Sequence, residues 1–189
     1  MGSRKHNRPS ATRDIVIDTN IVVYVGKNNK DLANKVLACL RDAVTKDYVL
    51  TISDFTIFEL LKGASPESEG KALASLQGIK RYYVTKRVLV AAAHLECIYQ
   101  QNKIPKESID SGDKIIGATA VLTNSLIFTA NTRDFPRPFF KEILAIPIVY
   151  SKDGKQHIIN TAFLEPDINT ILSHHKMWQE SLRADDGNP

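Results

Sequence analysis

Apolar and polar positions fall into two rhythms along the chain. Short continuous runs rich in β-branched residues, "DIVI" at 14–17, "DYVLTIS" at 47–53 and "SLIFTAN" at 125–131, predict strands, the first of the kind a parallel sheet buries on both faces. Between them the apolar residues recur at helical spacing. "KDLANKVLACLRDAVTK" sets Leu32, Val36, Leu37, Leu40 and Val44 on one face, with Asp31 near its start. "SDFTIFELLKG" predicts a helix capped by Ser53 or Asp54 and stopped by Gly63, and residues 19–25 predict another capped by Thr19 or Asn20. "KRVLVAAAHLECIYQQNK" and "DKIIGATAVL" give two more helices. In the second, Ile116, Gly117, Ala120 and Val121 follow Asp113 at i+3, i+4, i+7 and i+8, with Gly117 and Ala118 permitting close packing. The segment with Pro66, Gly70 and Gly78 reads as a loop followed by a short helix, and "RDFPRPFFKEILAIPIVY" as a loop ending in a strand.

Strands alternating with helices predict an α/β class protein, a sandwich on a central, mostly parallel sheet, over residues 14–150. Past Tyr150 the pattern changes. "IVYSKDGKQHII" predicts a hairpin turning at Asp153-Gly154, and "EPDINTILSHHKMWQESL" a terminal helix after Pro166. Residues 151–189 are therefore expected as an extension packed on or beside the domain, with the last seven frayed. There is no internal repeat.

At 189 residues with 43% hydrophobic and 24% charged, the chain has material for a sizeable core and is not a disordered polymer. No apolar run approaches the roughly 20 residues that span a bilayer, and the N-terminus lacks the apolar middle of a signal peptide, so a soluble cytoplasmic protein without membrane contact is expected. Cys39 and Cys97 lie among apolar neighbours without metal-type spacing and read as small core residues. The net charge of +4 suggests a nucleic-acid partner, but four basic residues fall in 1–13 with no acid. The remaining 21 basic and 21 acidic residues balance. Residues 1–13 read as a disordered basic tail, with phosphate binding as the alternative.

The chemistry gathers at carboxylates. Ligands of a parallel α/β sheet bind beyond the carboxyl ends of its strands. Asp18 follows the first strand directly, Asp113 opens a core-facing helix, and Asp134 follows the strand "LIFTA". Glu59 stands among Phe55, Ile57, Phe58, Leu60 and Leu61, where a solvated glutamate is out of place. Converging carboxylates repel one another unless a cation compensates, and an all-oxygen donor set suits Mg²⁺ or Mn²⁺. One or two such ions would bind phosphate oxygens and activate water. The alternative is that these residues are ordinary caps and turn aspartates.

Four stretches together resemble the PIN-domain family, best known from the toxins of VapBC-type toxin–antitoxin pairs. They are "IVIDTNIVVYV" with Asp18, "SDFTIFELLKG" with Glu59, "GDKIIGATA" with Asp113, and "TANTRDF" with Thr129, Asn131, Asp134 and Phe135. The similarity covers about residues 14–149 and implies a PIN-like fold and a metal-dependent endoribonuclease acting on single-stranded RNA. By carry-over Asp18 and Asp113 are the principal metal ligands, Glu59 a ligand or base, and Asp134 a ligand through water. Thr19, Asn20, Thr129 and Asn131 would support them. Asp110, one turn before Asp113, is a helix cap or an extra acid of the cluster. An antitoxin and a homodimer are the partners the family implies; a stand-alone RNA-processing nuclease and a silent PIN-like binding module are the alternatives. Four retained acids argue against the silent module, and Asn20 argues against a haloacid-dehalogenase-type phosphatase, which expects aspartate there. Arg133 and Lys114 are candidate phosphate contacts or surface ion pairs; His174 and His175 are expected to be solvated or capping residues, and His94 an ordinary helix residue.

Overall fold

Residues 14 to 17 extend as β1 (Asp14–Ile17) in the computed structural model, which describes residues 12–105 and 108–185. The predicted tail up to residue 11 and the chain end from 186 lie outside the described residues. Arg13, counted in that tail, is anchored: its guanidinium donates to the Asn124 carbonyl at 3.2 Å and to Glu165 at 2.6 Å. The other elements are α1 (Thr19–Gly26), α2 (Lys30–Thr45), β2 (Val49–Ser53), α3 (Asp54–Lys62), α4 (Pro66–Ala74), β3 (Lys80–Tyr82), α5 (Lys86–Gln101), α6 (Ser111–Thr123), β4 (Leu126–Thr129), β5 (Phe140–Lys152), β6 (Lys155–Pro166) and α7 (Ile168–Asp185).

The six strands form one sheet in the order β3-β2-β1-β4-β6-β5. β3, β2, β1 and β4 run parallel; β6 is antiparallel to β4, and β5 antiparallel to β6. Strand alternation divides the core in two. Ile15, Ile17, Phe128 and Phe163 face α2, whose Leu32, Val36 and Leu40 cover them. Val16, Ile127 and Leu164 point the other way, onto Leu95 and Ile98 of α5, Ile116 of α6 and Ile171 of α7. This is the α/β sandwich on a mostly parallel sheet that the strand–helix alternation predicts.

Three local expectations change. The N-cap of α1 is Asp18, not Thr19 or Asn20, because those two side chains are committed to carboxylates across the site. α4 begins directly at Pro66, where proline's fixed φ suits a first turn. β3 went unpredicted: it has three residues, mostly exposed, with no alternation to read.

The hairpin turns at Asp153-Gly154, both residues in the left-handed region that a two-residue turn between twisted strands requires. The boundary expected at residue 150 falls inside β5, and β6 does not lie beside the domain but enters its sheet between β4 and β5. α7 then crosses α5. His174 accepts or donates a hydrogen bond at 3.1 Å with Asn102 and packs edge-on to Phe139. His175 stacks on His94 with ring centres 4.5 Å apart, and Trp178 closes over both. The histidines are thus packing residues of the α5–α7 contact and neither solvated nor caps.

Phe128 is fully buried and stacks on Phe163 at 4.5 Å across the β4–β6 pair. Phe128→Ala should therefore lower the unfolding free energy by about 3–5 kcal/mol, measured by urea denaturation.

Candidate active site

β1 and β4 end side by side. The register pairs Ile17 with Phe128, so Asp18 and Thr129 emerge together at the carboxyl edge of the sheet. The Asp18 N–H still donates to the Phe128 carbonyl at 3.0 Å, which fixes the backbone that carries its side chain. That side chain is 2% exposed. Its Oδ2 accepts hydrogen bonds from Thr129 Oγ1 and from Asn20 Nδ2, each at 2.6 Å. Asn20 also accepts from the Ala130 N–H at 3.0 Å, and the Asn131 N–H donates to Thr129 Oγ1 at 2.9 Å. The loop after β4 is thereby tied to the start of α1.

The other acids arrive on separate elements. Thr19 donates its hydroxyl to Glu59, which α3 presents half-buried, and Asn131 donates its side-chain amide to Asp134 in the short 3-10 turn after β4. Asp110 caps α6 by accepting from the Gly112 N–H at 2.8 Å. Asp113 stands in the first turn of that helix. All five supporting residues predicted from sequence touch this constellation. Lys114 instead turns away, buried and paired with Glu96 of α5, while Arg133 lies exposed beside Asp134.

Sequence reading missed Gly112. A Cβ here would meet Cε1 of Phe55 at 2.3 Å and Oε1 of Glu59 at 3.0 Å, so only glycine lets α6 come close enough to α3 for Glu59 to approach Asp113. The available signal was the glycine directly before the acid in "SGD". Gly117, in contrast, serves the core as expected, with Phe140 3.2 Å from its would-be Cβ.

Burial pushes the Asp18 carboxyl up to about 6, against the hydrogen bonds from Thr129 and Asn20 and with added repulsion from Glu59 and Asp134. Asp113 rises to about 8, first through burial and then through the charges of Asp134, Asp18, Glu59 and Asp110. Burial raises Asp134 too, with the charge of Asp110 adding to it, while a hydrogen bond with Asp113 opposes the rise.

Among the described residues, no three acidic, histidine or cysteine side chains converge closely enough to hold an ion as they stand. Glu59, Asp18 and Asp134 are each held by their own hydroxyl or amide partner. The donor set nevertheless fits a hard divalent cation. It is all oxygen, and the charges of Glu59 and Asp134 push up both Asp18 and Asp113, a repulsion that a cation would relieve.

A family model described as the PIN domain matches residues 15–140. Among solved structures, the chain is similar to the crystal structure of VapBC2 from Rickettsia felis bound to a DNA fragment from their promoter. The likeness has 19% sequence identity and a TM-score of 0.52, and covers 66% of this chain and 93% of that one. At this identity it shows a shared fold. No curated protein matches.

The folded values of Asp18 and Asp113 lie above the unfolded 3.8, so the native state binds the extra protons. Stability is fully present below about 4 and is lost as pH rises through 6 to 8. Asp113→Asn should raise the thermal midpoint by several degrees at pH 8 in EDTA, and the gain over wild type should shrink as pH falls and disappear below about pH 4 in differential scanning fluorimetry. Added Mn²⁺ should raise the wild-type midpoint at pH 8 and leave the variant unmoved. Gly112→Ala, which drives Phe55 and Glu59 outward, should cost about 1–3 kcal/mol and abolish that Mn²⁺ response.

Proposed function

Since the chain belongs to the PIN-domain family, matched over two thirds of its length, we propose that it is a divalent-metal-dependent endoribonuclease that cleaves single-stranded RNA. The observation that carries this reading is Asp18: a carboxylate held in a buried position at the end of the central strand, facing Asp113, Asp134 and Glu59. RNA as the substrate is what family membership implies. The Rickettsia felis neighbour, a VapBC2 complex, supports the further reading of a toxin held by an antitoxin partner in the cytoplasm. No described helix is long and apolar enough to cross a membrane.

Asp18 and Asp113 would hold Mg²⁺ or Mn²⁺ directly, with Asp134 at the edge of the site. The bound ion supplies Lewis-acid polarisation of the phosphodiester and a lowered pKa for attacking water. The chain's own residues do the rest. Thr129 and Asn20 fix the Asp18 carboxylate, leaving Oδ1 free of these two bonds. Glu59 takes the proton of the attacking water, and Thr19 sets the rotamer in which it does so. Asn131 orients Asp134 from three residues away.

Purified protein with Mn²⁺ should cut single-stranded RNA, and EDTA should stop it. Asp18→Asn should reduce the rate by more than about 100-fold, and Thr19→Val by about tenfold with the circular dichroism spectrum unchanged. Cleavage that persists in EDTA or in Asp18→Asn would overturn the assignment.

A further inference from the structure

Beyond Thr129 a groove of about 700 Å³ leads away from the carboxylates, between the 130–133 loop and the β5–β6 hairpin. Its position follows from strand pairing. Thr129, whose hydroxyl holds Asp18, pairs with Ala162 of β6, and Ala162 pairs with Ala145 of β5. One residue pair further along the hairpin, Asn160 lies opposite Pro147. On the other face of these strands the same register carries Ile146, Ile148 and Phe163, packed onto α2. On this face no described helix covers Ala145, Pro147 and Asn160, which are exposed.

The rim carries recognition chemistry. Arg133 and Asn160 are both exposed, and neither side chain bonds to another described residue. A cation and an amide held over a low floor of Ala145, Pro147 and Ala162 suit a phosphate beside a flat ring. Glu142 marks the end of the groove away from Asn160, where an anion would be repelled. The family match stops at residue 140, so both hairpin strands lie almost wholly outside it.

We propose that this groove binds a nucleotide flanking the scissile bond of single-stranded RNA, with Arg133 on its phosphate and Asn160 on its base edge. The inference rests on the nuclease reading above and makes the hairpin the part of this chain that selects sequence around the cut. A base on the floor sets its polar edge toward Asn160, whose amide both donates and accepts, so Asn160 discriminates between bases while Arg133 does not.

Two measurements separate this proposal from the nuclease reading. Binding of a fluorescein-labelled single-stranded oligoribonucleotide is followed by anisotropy in the Asp18→Asn background, and cut ends from a randomised RNA pool are sequenced with Asp18 intact. Arg133→Ala should weaken binding about tenfold for every sequence and lower the salt slope by about one. Asn160→Ala should flatten the base preference at one position beside the cut, raising KM and sparing kcat, with an unchanged thermal midpoint. If both variants bind RNA as the parent does, the groove proposal fails, whether or not wild type cleaves. If they lose only a co-purifying protein partner, the groove belongs to that partner and the proposal fails likewise. Wild type that binds RNA through these residues but never cuts it would instead overturn the nuclease reading alone.

Discussion

The burial of one carboxylate organises this molecule. Asp18 leaves the central strand at the point where both faces of the sheet are already covered, and raising its pKa from 3.8 to about 6 corresponds to roughly 3 kcal/mol against the fold at neutral pH. Hydrogen bonds from Thr129 and Asn20 hold that charge where it is. They exist only because β4 lies beside β1 in the register that sets Phe128 against Ile17. The sheet order, the abrupt start of α1 and the knotting of Asn20, Ala130 and Asn131 around Thr129 are all conditions for keeping Asp18 in place. A fold optimised for stability alone would put a leucine there; the protein accepts the cost at its candidate active site.

The parts of this design legible in sequence are those with a local signature. β1, β2 and β4 are short apolar runs, and α2, α5 and α6 show helical spacing, so their type follows from residues alone and their limits to within about two residues. Asp18, Glu59 and Asp113 stand out as candidates because each interrupts an apolar pattern or opens a core-facing stripe, whereas Asp134 is marked only by its place after a predicted strand. What escaped depends on partners distant in the chain. β3 is a strand only because Thr51, Ile52 and Ser53 lie beside it. Thr19 and Asn20 look like caps until their partners, 40 and 109 residues on, claim the side chains. His94 and His175 meet across 81 positions, and Gly112 matters because of a phenylalanine on another helix.

The C-terminal segment shows the same limit on a larger scale. Its hairpin and helix were readable, but no local feature tells a strand that it will sit inside a sheet and not at its edge. β6 takes the inner place because it offers Phe163 to Phe128 on one face and Ala162 and Leu164 to the α5–α6–α7 layer on the other. β5 is left outermost, thirteen residues long, and carries features that discourage pairing with another chain: Pro147 at mid-strand, a bulge near Glu142, and Lys141 and Lys152 toward its ends.

That placement separates two tasks in one sheet. The carboxylates stand on β1, α3, α6 and the loop after β4, all secured by contacts that precede residue 140. β6 meets this machinery where Ala162 pairs with Thr129 and beside the short turn that carries Asp134. Substitutions along the exposed face of the hairpin can therefore reshape what lies next to the acids without disturbing the hydrogen bonds that hold Asp18. A rigid acid site beside an independently variable wall is an arrangement in which chemistry stays fixed while substrate preference shifts. The coupling runs through Thr129: its backbone belongs to the sheet that carries the hairpin, and its hydroxyl belongs to the carboxylate.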